Sequence, residues 1–282
     1  MKGLDWGENT LKFGDLEFIY ESYTTERSNT DRLVLFKDRG LLEAIINVFD
    51  ELQPKRVFEL GIWQGGSTGL FSAYSLAEKY AAIDYSQERI EALDKFLERN
   101  NLLSKVFPFY GIDQGNSEQL RSIYSEIFKG EPLDLVLDDA SHQLVETRKS
   151  FETLFPLLRP GGMYVIEDWQ WGLKPVTQRE RVENKLALKK FPKGQTLALM
   201  PMELVMAAAK NDVIRSLTVS EYYVKIERGE ANLDEHFKIT DLYPPEGQEL
   251  LGRHDIIDNP RKPPPLPIRL YRKFYRRITG QH

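Results

Sequence analysis

The sequence predicts an α/β fold: a doubly wound, mostly parallel sheet with helices on both faces and an antiparallel strand pair toward the C-terminus. Three observations carry this. From residue 40 to 168, short near-continuous apolar runs alternate with segments whose apolar residues recur at helical spacing. Strands apolar along their whole length belong to a parallel sheet buried on both faces. Within that region, Arg56 to Ser67 (RVFELGIWQGGS) passes from a strand through Gly61, Gly65 and Gly66 into a helix, the turn with which a Rossmann-like sheet brings bare backbone to a nucleotide-like ligand. Past residue 168 the pattern changes, and Leu217 to Arg228 alternates as a strand does.

Each element follows from its residues. Gly40 to Leu52 carries Leu41, Leu42, Ile45, Ile46, Val48 and Phe49 on one broad helical face. The first strand of the parallel series is 56–60 and the second is Tyr80 to Asp84; the next helix is expected to open at Ser86 as its N-cap, with Ile90, Leu93 and Leu97 on one side. Val106 to Ile112 forms the third strand. A helix from Ser117 places Leu120, Ile123, Tyr124 and Ile127 together. Leu133 to Leu137 is the fourth strand, followed by a helix expected to end at Arg159-Pro-Gly-Gly162, and Met163 to Ile166 is the fifth. Met202 to Lys210 reads as a helix with Pro201 in its first turn, and Phe237 to Leu242 is expected to pair with the strand over 217–228.

Composition narrows the class. The 282 residues carry 38 Lys and Arg against 43 Asp and Glu, a net charge of −5 that argues against wholesale nucleic-acid binding. There is no cysteine, so no disulfide framework, thiolate zinc site or cysteine nucleophile is available. The N-terminal segment MKGLDWGENT lacks a signal-peptide core, and nowhere do about 18 apolar residues run together. A cytoplasmic protein without an integral membrane segment is the expectation.

The glycine turn is spaced G-x-x-x-G-G, unlike the G-x-G-x-x-G of dinucleotide binders or the G-K-[ST] ending of a P-loop. Glu59, at the carboxyl end of the first strand, would repel a pyrophosphate and welcome a ligand carrying an amine and a sulfonium. An ordinary strand-to-helix turn is the bland alternative. The turn resembles the first motif of class I S-adenosylmethionine-dependent methyltransferases, and on that reading Glu59, Gly61, Gly65 and Ser67 would meet the cofactor. A nucleoside also needs a carboxylate about 20 residues on to bind the ribose hydroxyls, and Asp84 ends the second strand. Asp113 and Gln114 follow the third strand, where a polar group would face the adenine.

A second cluster carries the chemistry. The fourth strand runs into Asp138-Asp139-Ala140-Ser141-His142 and the fifth into Glu167-Asp168-Trp169. Both ends open on the same carboxyl edge of a doubly wound sheet. Carboxylates at that density repel one another unless a cation sits among them, and neither motif holds a Lys or Arg. A hard divalent ion such as Mg²⁺ is the expected cation. Mg²⁺ would polarise a hydroxyl or vicinal diol, and His142 is the natural base for the released proton. A helix cap by Asp139 and Ser141 beside a satisfied histidine is the alternative, which leaves Glu167 and Asp168 unexplained.

Leu133 to Trp169, LDLVLDDASHQLVETRKSFETLFPLLRPGGMYVIEDW, resembles the magnesium-dependent macrolide sugar O-methyltransferases of the mycinamicin type, and is also similar to the cephalosporin-hydroxylase-like group. These sugar methyltransferases share a D-D-x-S-H element and a later E-D pair. The resemblance implies Asp139, Glu167 and Asp168 as metal ligands, Asp139 and His142 as the catalytic pair with His142 as base, and Asp138 facing the methionine end of the cofactor. Ala140 departs from the family's usual glycine.

The implied protein is an S-adenosylmethionine-dependent, Mg²⁺-assisted O-methyltransferase acting on a hydroxyl of a sugar, polyol or glycoside in natural-product biosynthesis. Hydroxylase-like or N-methyl transfer on the same fold, and a non-catalytic nucleoside-binding protein, are the alternatives. Non-haem iron asks for two histidines where this cluster offers one. Residues 1–39 are expected to extend over the acceptor site, 40–245 to form the catalytic domain with a lid-like insertion at 169–196, and 246–282 to form a Pro-rich basic tail. That tail reads as a solvated extension or as a dock for a membrane surface or partner. Trp169 and Trp171 are candidates for stacking on a sugar ring; association into a homo-oligomer is left open.

Overall fold

A computed structural model describes residues 3–20, 26–170, 173, 196–209, 212–243 and 246–247. The basic tail, most of the lid-like insertion and Trp171 lie outside the described residues.

Seven strands form the main sheet: β5 (Arg56–Leu60), β6 (Lys79–Asp84), β7 (Val106–Tyr110), β8 (Leu133–Asp138), β9 (Leu158–Glu167), β10 (Ile214–Val219) and β11 (Tyr223–Arg228). Their order is β10-β11-β9-β8-β5-β6-β7. The five strands β5 to β9 run parallel; β11 is antiparallel to β9, and β10 to β11. This is the expected Rossmann-like, doubly wound sheet with a C-terminal antiparallel pair.

Alternation along the central strands feeds two cores. Phe58, Leu60, Val136, Tyr164 and Ile166 face one side, where α4 (Ser117–Phe128), α5 (Leu144–Leu154) and α6 (Leu199–Ala207) pack. Val57, Tyr80, Leu135, Leu137 and Val165 face the other, against α1 (Arg39–Leu52), α2 (Gly66–Tyr74) and α3 (Glu91–Arg99). Burying both faces is what makes these strands apolar throughout. Asp38 caps α1, its carboxylate accepting the Leu41 amide at 2.8 Å.

The N-terminal residues form a second sheet that the sequence did not announce. β1 (Leu4–Trp6), β2 (Thr10–Phe13) and β3 (Leu16–Tyr20) run antiparallel, and β4 (Leu33–Leu35) adds in parallel to β3. Leu11, Phe18, Leu33 and Leu35 join the core on the α1–α3 side. The backbone of β4 passes so close to α2 that a Cβ on Gly66 would lie 2.1 Å from the Val34 carbonyl oxygen.

Four expectations are corrected. Ser86 is not a helix N-cap: its amide donates to Asp84, its hydroxyl accepts from the Glu88 amide, and α3 begins only at Glu91. Arg159-Pro-Gly-Gly162 does not end a helix. It lies within β9, after α5 has stopped at Leu154 and a 3₁₀ turn has covered Phe155–Leu157. Residues 217–228 are not one strand but two arms of a hairpin, turning at Ser220 to Tyr222, where the Ser220 amide donates to the Tyr223 carbonyl. The antiparallel pair is therefore β10 with β11, while Ile239–Leu242 forms a 3₁₀ turn. Among the described residues, no helix is long and apolar enough to cross a membrane.

Candidate active site

The strand order reverses on either side of β5, and a cavity of about 400 Å³ opens there at the carboxyl edge of the sheet. Such a crevice is where open α/β sheets bind ligands. Successive strand ends supply its walls: Gly61 after β5, Ile83 and Asp84 from β6, Asp113 and Gln114 after β7, Asp139 to His142 after β8, and Asp168 after β9. Gly66 and Ser67, opening α2, and Val34 to Lys37, from β4 and the segment after it, also line it.

The glycine turn is shaped by close approach. Gly61 has φ +104°, and a Cβ there would sit 2.1 Å from the Asp139 carbonyl oxygen, so β5 and β8 can emerge side by side only with glycine at this position. Asp84 closes the turn: its Oδ2 accepts the amides of Ile62 at 3.1 Å and Trp63 at 2.7 Å. The carboxylate expected to meet a ribose thus also holds the loop that would cradle the rest of a nucleoside. Gly65 caps α2 with φ +81° and packs on Leu93 rather than lining the cavity.

Two residues assigned to the cofactor lie behind the wall. Glu59 is buried, its Oε2 accepting from the Thr68 hydroxyl at 2.6 Å and the Tyr80 hydroxyl at 3.1 Å. Burial pushes its carboxyl up to about 7 against the opposing effect of these bonds, of Ser67 and of the Lys37 charge. Asp138 is enclosed by Gln114, Ser150 and Tyr164, whose hydrogen bonds to it are 2.8, 3.0 and 2.8 Å, and burial raises it to about 6. Both carboxylates brace the walls from behind. The strand-end pattern located them correctly, but their side chains turn into the protein.

Gln114 connects that brace to the cavity. Its Nε2 donates to Asp138 while its Oε1 accepts the Ser141 amide at 2.8 Å, which fixes the loop that carries His142. That loop holds His142 at φ +52°, and Asp168, after β9, has φ +53°. Non-glycine residues held in the left-handed region concentrate at functional sites.

The expectation that no protein cation accompanies the acidic cluster is corrected: Lys37, from the segment joining β4 to α1, places its Nζ 2.6 Å from Asp139 Oδ2 and 2.5 Å from Glu167 Oε2. Lys37 is 4% and Glu167 1% exposed. Burial alone would lower the Lys37 ammonium, but the two carboxylates outweigh it and hold it above its ordinary range. Burial raises the Glu167 carboxyl, with Asp139 and Asp168 adding and Lys37 opposing. Glu167 does not line the cavity. Asp139, His142 and Asp168 do, with donor atoms within 4.8 Å of one another. His142 Nε2 lies 3.7 Å from Asp139 Oδ1 and 3.9 Å from Asp168 Oδ2. Asp139 and Asp168 offer the carboxylate oxygens that a hard divalent ion takes, with the His142 imidazole beside them.

Lys37, Phe36 and Trp63 are among the lining residues that sequence reasoning missed. Lys37 precedes a helix cap and gives no local sign of its role. Phe36 and Trp63 meet at the cavity with ring centroids 5.1 Å apart, brought together from the two sheets. Trp169, a candidate sugar-stacking face, instead donates its indole N–H to the Ser220 carbonyl at 2.8 Å and packs against the core.

Residues 58–169 match the methyltransferase domain family. The chain is 35% identical over 123 residues to 8-demethyl-8-(2-methoxy-alpha-L-rhamnosyl)-tetracenomycin-C 3'-O-methyltransferase of Streptomyces olivaceus, a match covering 41% of this chain and 28% of that protein. It is 32% identical over 123 residues to mycinamicin VI 2''-O-methyltransferase of Micromonospora griseorubida, covering 41% and 27%. These matches span less than a third of either relative's own length. Among solved structures, the MycE methyltransferase of the mycinamycin biosynthetic pathway, in complex with Mg, SAH and mycinamycin VI, is 23% identical, with a TM-score of 0.47 over 66% of this chain and 49% of that one.

Proposed function

We propose, from the premise that residues 58–169 form a methyltransferase domain, that this protein transfers the methyl group of S-adenosylmethionine to a hydroxyl oxygen on the sugar part of a natural product or glycoside. The observation that carries the reading is the convergence of Gly61, Asp84, Asp113, Asp139, His142 and Asp168 from five successive strand ends on one cavity. The sugar O-methyltransferases among its relatives support the acceptor class. Bound in the cavity, S-adenosylmethionine would supply an activated methyl on a sulfonium, and a divalent ion such as Mg²⁺ would polarise the acceptor hydroxyl.

The chain's own residues do the rest. The Gly61–Ser67 turn gives the donor close approach to backbone, and Asp84 accepts from the ribose hydroxyls while keeping that turn closed. Asp113 stands at the adenine end. Asp139 and Asp168 would hold the ion on the far side of the cavity, beside His142. His142 Nε2 would take the proton that the acceptor oxygen gives up on methylation, the methyl being what bound S-adenosylmethionine would supply from its sulfonium. Val34 to Lys37 form the wall nearest the acceptor side, the role we assign to the N-terminal extension.

Calorimetry against S-adenosylhomocysteine and NADH, followed by methyl transfer to a panel of glycosides with and without Mg²⁺, tests the reading. The expected result is binding of S-adenosylhomocysteine and a product heavier by one methyl. Binding of NADH with no affinity for S-adenosylhomocysteine would sink it.

A further inference from the structure

We propose that Phe36 and Trp63 form an aromatic wall that recognises the positive charge of the methyl donor, so that the chain prefers S-adenosylmethionine over the demethylated product, which lacks that charge. The inference rests on the function proposed above and names the residues that would tell the two cofactor states apart.

The cavity suits a cation. Asp84, Asp113, Asp139 and Asp168 line it, and Lys37, the one Lys or Arg among the described lining residues, is taken up by Asp139 and Glu167. The carboxylates beside the two rings are already engaged. Asp84 accepts the amides of Ile62, Trp63 and Ser86, and Asp139 Oδ2 receives Lys37. An aromatic face attracts a cation without carrying a charge of its own. Phe36 and Trp63 offer two such faces, with centroids 5.1 Å apart and ring planes inclined at 50°, an angled wall of the kind that holds an onium group.

Exposure marks these rings for a ligand. Among the described residues only two aromatic side chains are exposed, Phe36 and Tyr85, and both line this cavity. Phe36 is 42% exposed between Leu35 at 1% and Lys37 at 4%, so the chain forgoes the gain of burying one ring where its neighbours are enclosed. Both residues are fixed from behind. Trp63 holds φ +48° and donates its amide to Asp84 at 2.7 Å, while Phe36 precedes Lys37, whose ammonium reaches Asp139 at 2.6 Å. The pair thereby joins the carboxylate assigned to the ribose to one assigned to the acceptor side, and the methyl has to cross between those two ends. Recognition of charge by neutral rings would also favour exchange of product for donor, because the attraction ends once the methyl has left.

Calorimetry on the full chain, comparing S-adenosylmethionine with S-adenosylhomocysteine, tests the assignment. Wild type should bind the first more tightly. Phe36→Leu and Trp63→Leu keep an apolar side chain and lose the ring; each should weaken S-adenosylmethionine by about three- to tenfold and leave S-adenosylhomocysteine within about twofold. Phe36→Tyr and Trp63→Phe keep a ring and should retain most of the preference. Equal weakening of both ligands in the leucine variants would reduce the pair to apolar packing and overturn the inference. Unchanged affinities with a raised KM for the glycoside would overturn it too, giving the rings to the acceptor. If Trp63→Leu does not fold, the two Phe36 variants decide alone. A wild-type chain that binds neither ligand sinks the proposed function together with this inference, whereas binding of both at a ratio that no variant moves sinks the inference alone.

Discussion

Gln114 Oε1 accepts the backbone N–H of Ser141 at 2.8 Å, and the same side chain donates to Asp138 Oδ1 at 2.8 Å. One buried amide therefore links the end of β8 to the loop that presents His142. Gln114→Ala leaves the Ser141 amide and one Asp138 oxygen without this partner, at a cost of about 1–3 kcal/mol in stability. Turnover should fall by about 10²-fold, since small misplacements of a reacting group are costly. Kinetics, urea unfolding and calorimetry on one variant check this; unchanged turnover would show that the loop keeps its shape without the bond.

Gly61→Ala tests the close approach of β5 and β8. An added Cβ meets the Asp139 carbonyl at 2.1 Å, on a residue whose φ of +104° already disfavours a side chain. The chain must shift at Gly61 or at Asp139, so the variant should be destabilised by about 2 kcal/mol or more and lose cofactor binding and turnover together. Unfolding midpoints and calorimetry measure the two effects.

What the sequence made legible follows from burial. β5, β6, β8 and β9 are enclosed on both faces, so their apolar runs are unmistakable, and the polar residues at their carboxyl ends mark the edge where ligands bind. The N-terminal sheet was illegible because its strands are three to five residues long, too short for alternation to stand out. The β10–β11 hairpin turns on Ser220-Glu221-Tyr222, with neither glycine nor proline to announce it. Sequence placed Glu59, Asp138 and Glu167 at the right strand ends, yet which way each carboxylate turns depends on Thr68, Tyr80, Gln114, Tyr164 and Lys37, distant partners that only the fold assembles. Lys37 is the extreme case, 130 residues from Glu167.

Burial of Glu59 gives the protein a pH dependence whose sign follows from its raised carboxyl. Its folded carboxyl titrates near 7, raised chiefly by burial from an ordinary value of 4.5. A raised folded value means that the folded chain holds the proton more tightly. The stabilising contribution is complete below the ordinary carboxylate range and is lost as pH rises through about 7. Glu59→Gln, always neutral, should lack this loss, so its stability relative to wild type should improve on the order of 3 kcal/mol between about pH 4 and about pH 8. Urea unfolding across that range checks it, and parallel curves for the two proteins would reject it.

Chelation separates the two ends of the cavity. Asp139 and Asp168 stand after β8 and β9, whereas Asp84 and Asp113 stand at the ends of β6 and β7. EDTA should therefore abolish methyl transfer and leave S-adenosylhomocysteine affinity within about twofold, since binding and chemistry use different groups. Added Mg²⁺ should restore activity. Turnover that survives exhaustive chelation would remove the ion from the reaction.

His142 is the last and most specific commitment. Its Nε2 lies between Asp139 and Asp168, and its strained backbone is fixed by a loop that Gln114 grips through Ser141. A base in that place needs its ring held toward the acceptor, and the left-handed φ provides the sharp turn that aims it. Loss of a general base costs about 10²–10⁴-fold in rate. His142→Ala should lower kcat by that range while S-adenosylhomocysteine affinity stays nearly constant, because Asp84 and Asp113, the residues proposed to meet the cofactor, stand at the ends of other strands. His142→Gln keeps a polar side chain but cannot take a proton, so it should be as inactive as alanine if proton removal is the role. Recovery of most of the rate in the glutamine variant would assign His142 to positioning instead, and full turnover in both variants on a glycoside that the wild-type chain methylates would remove it from the reaction.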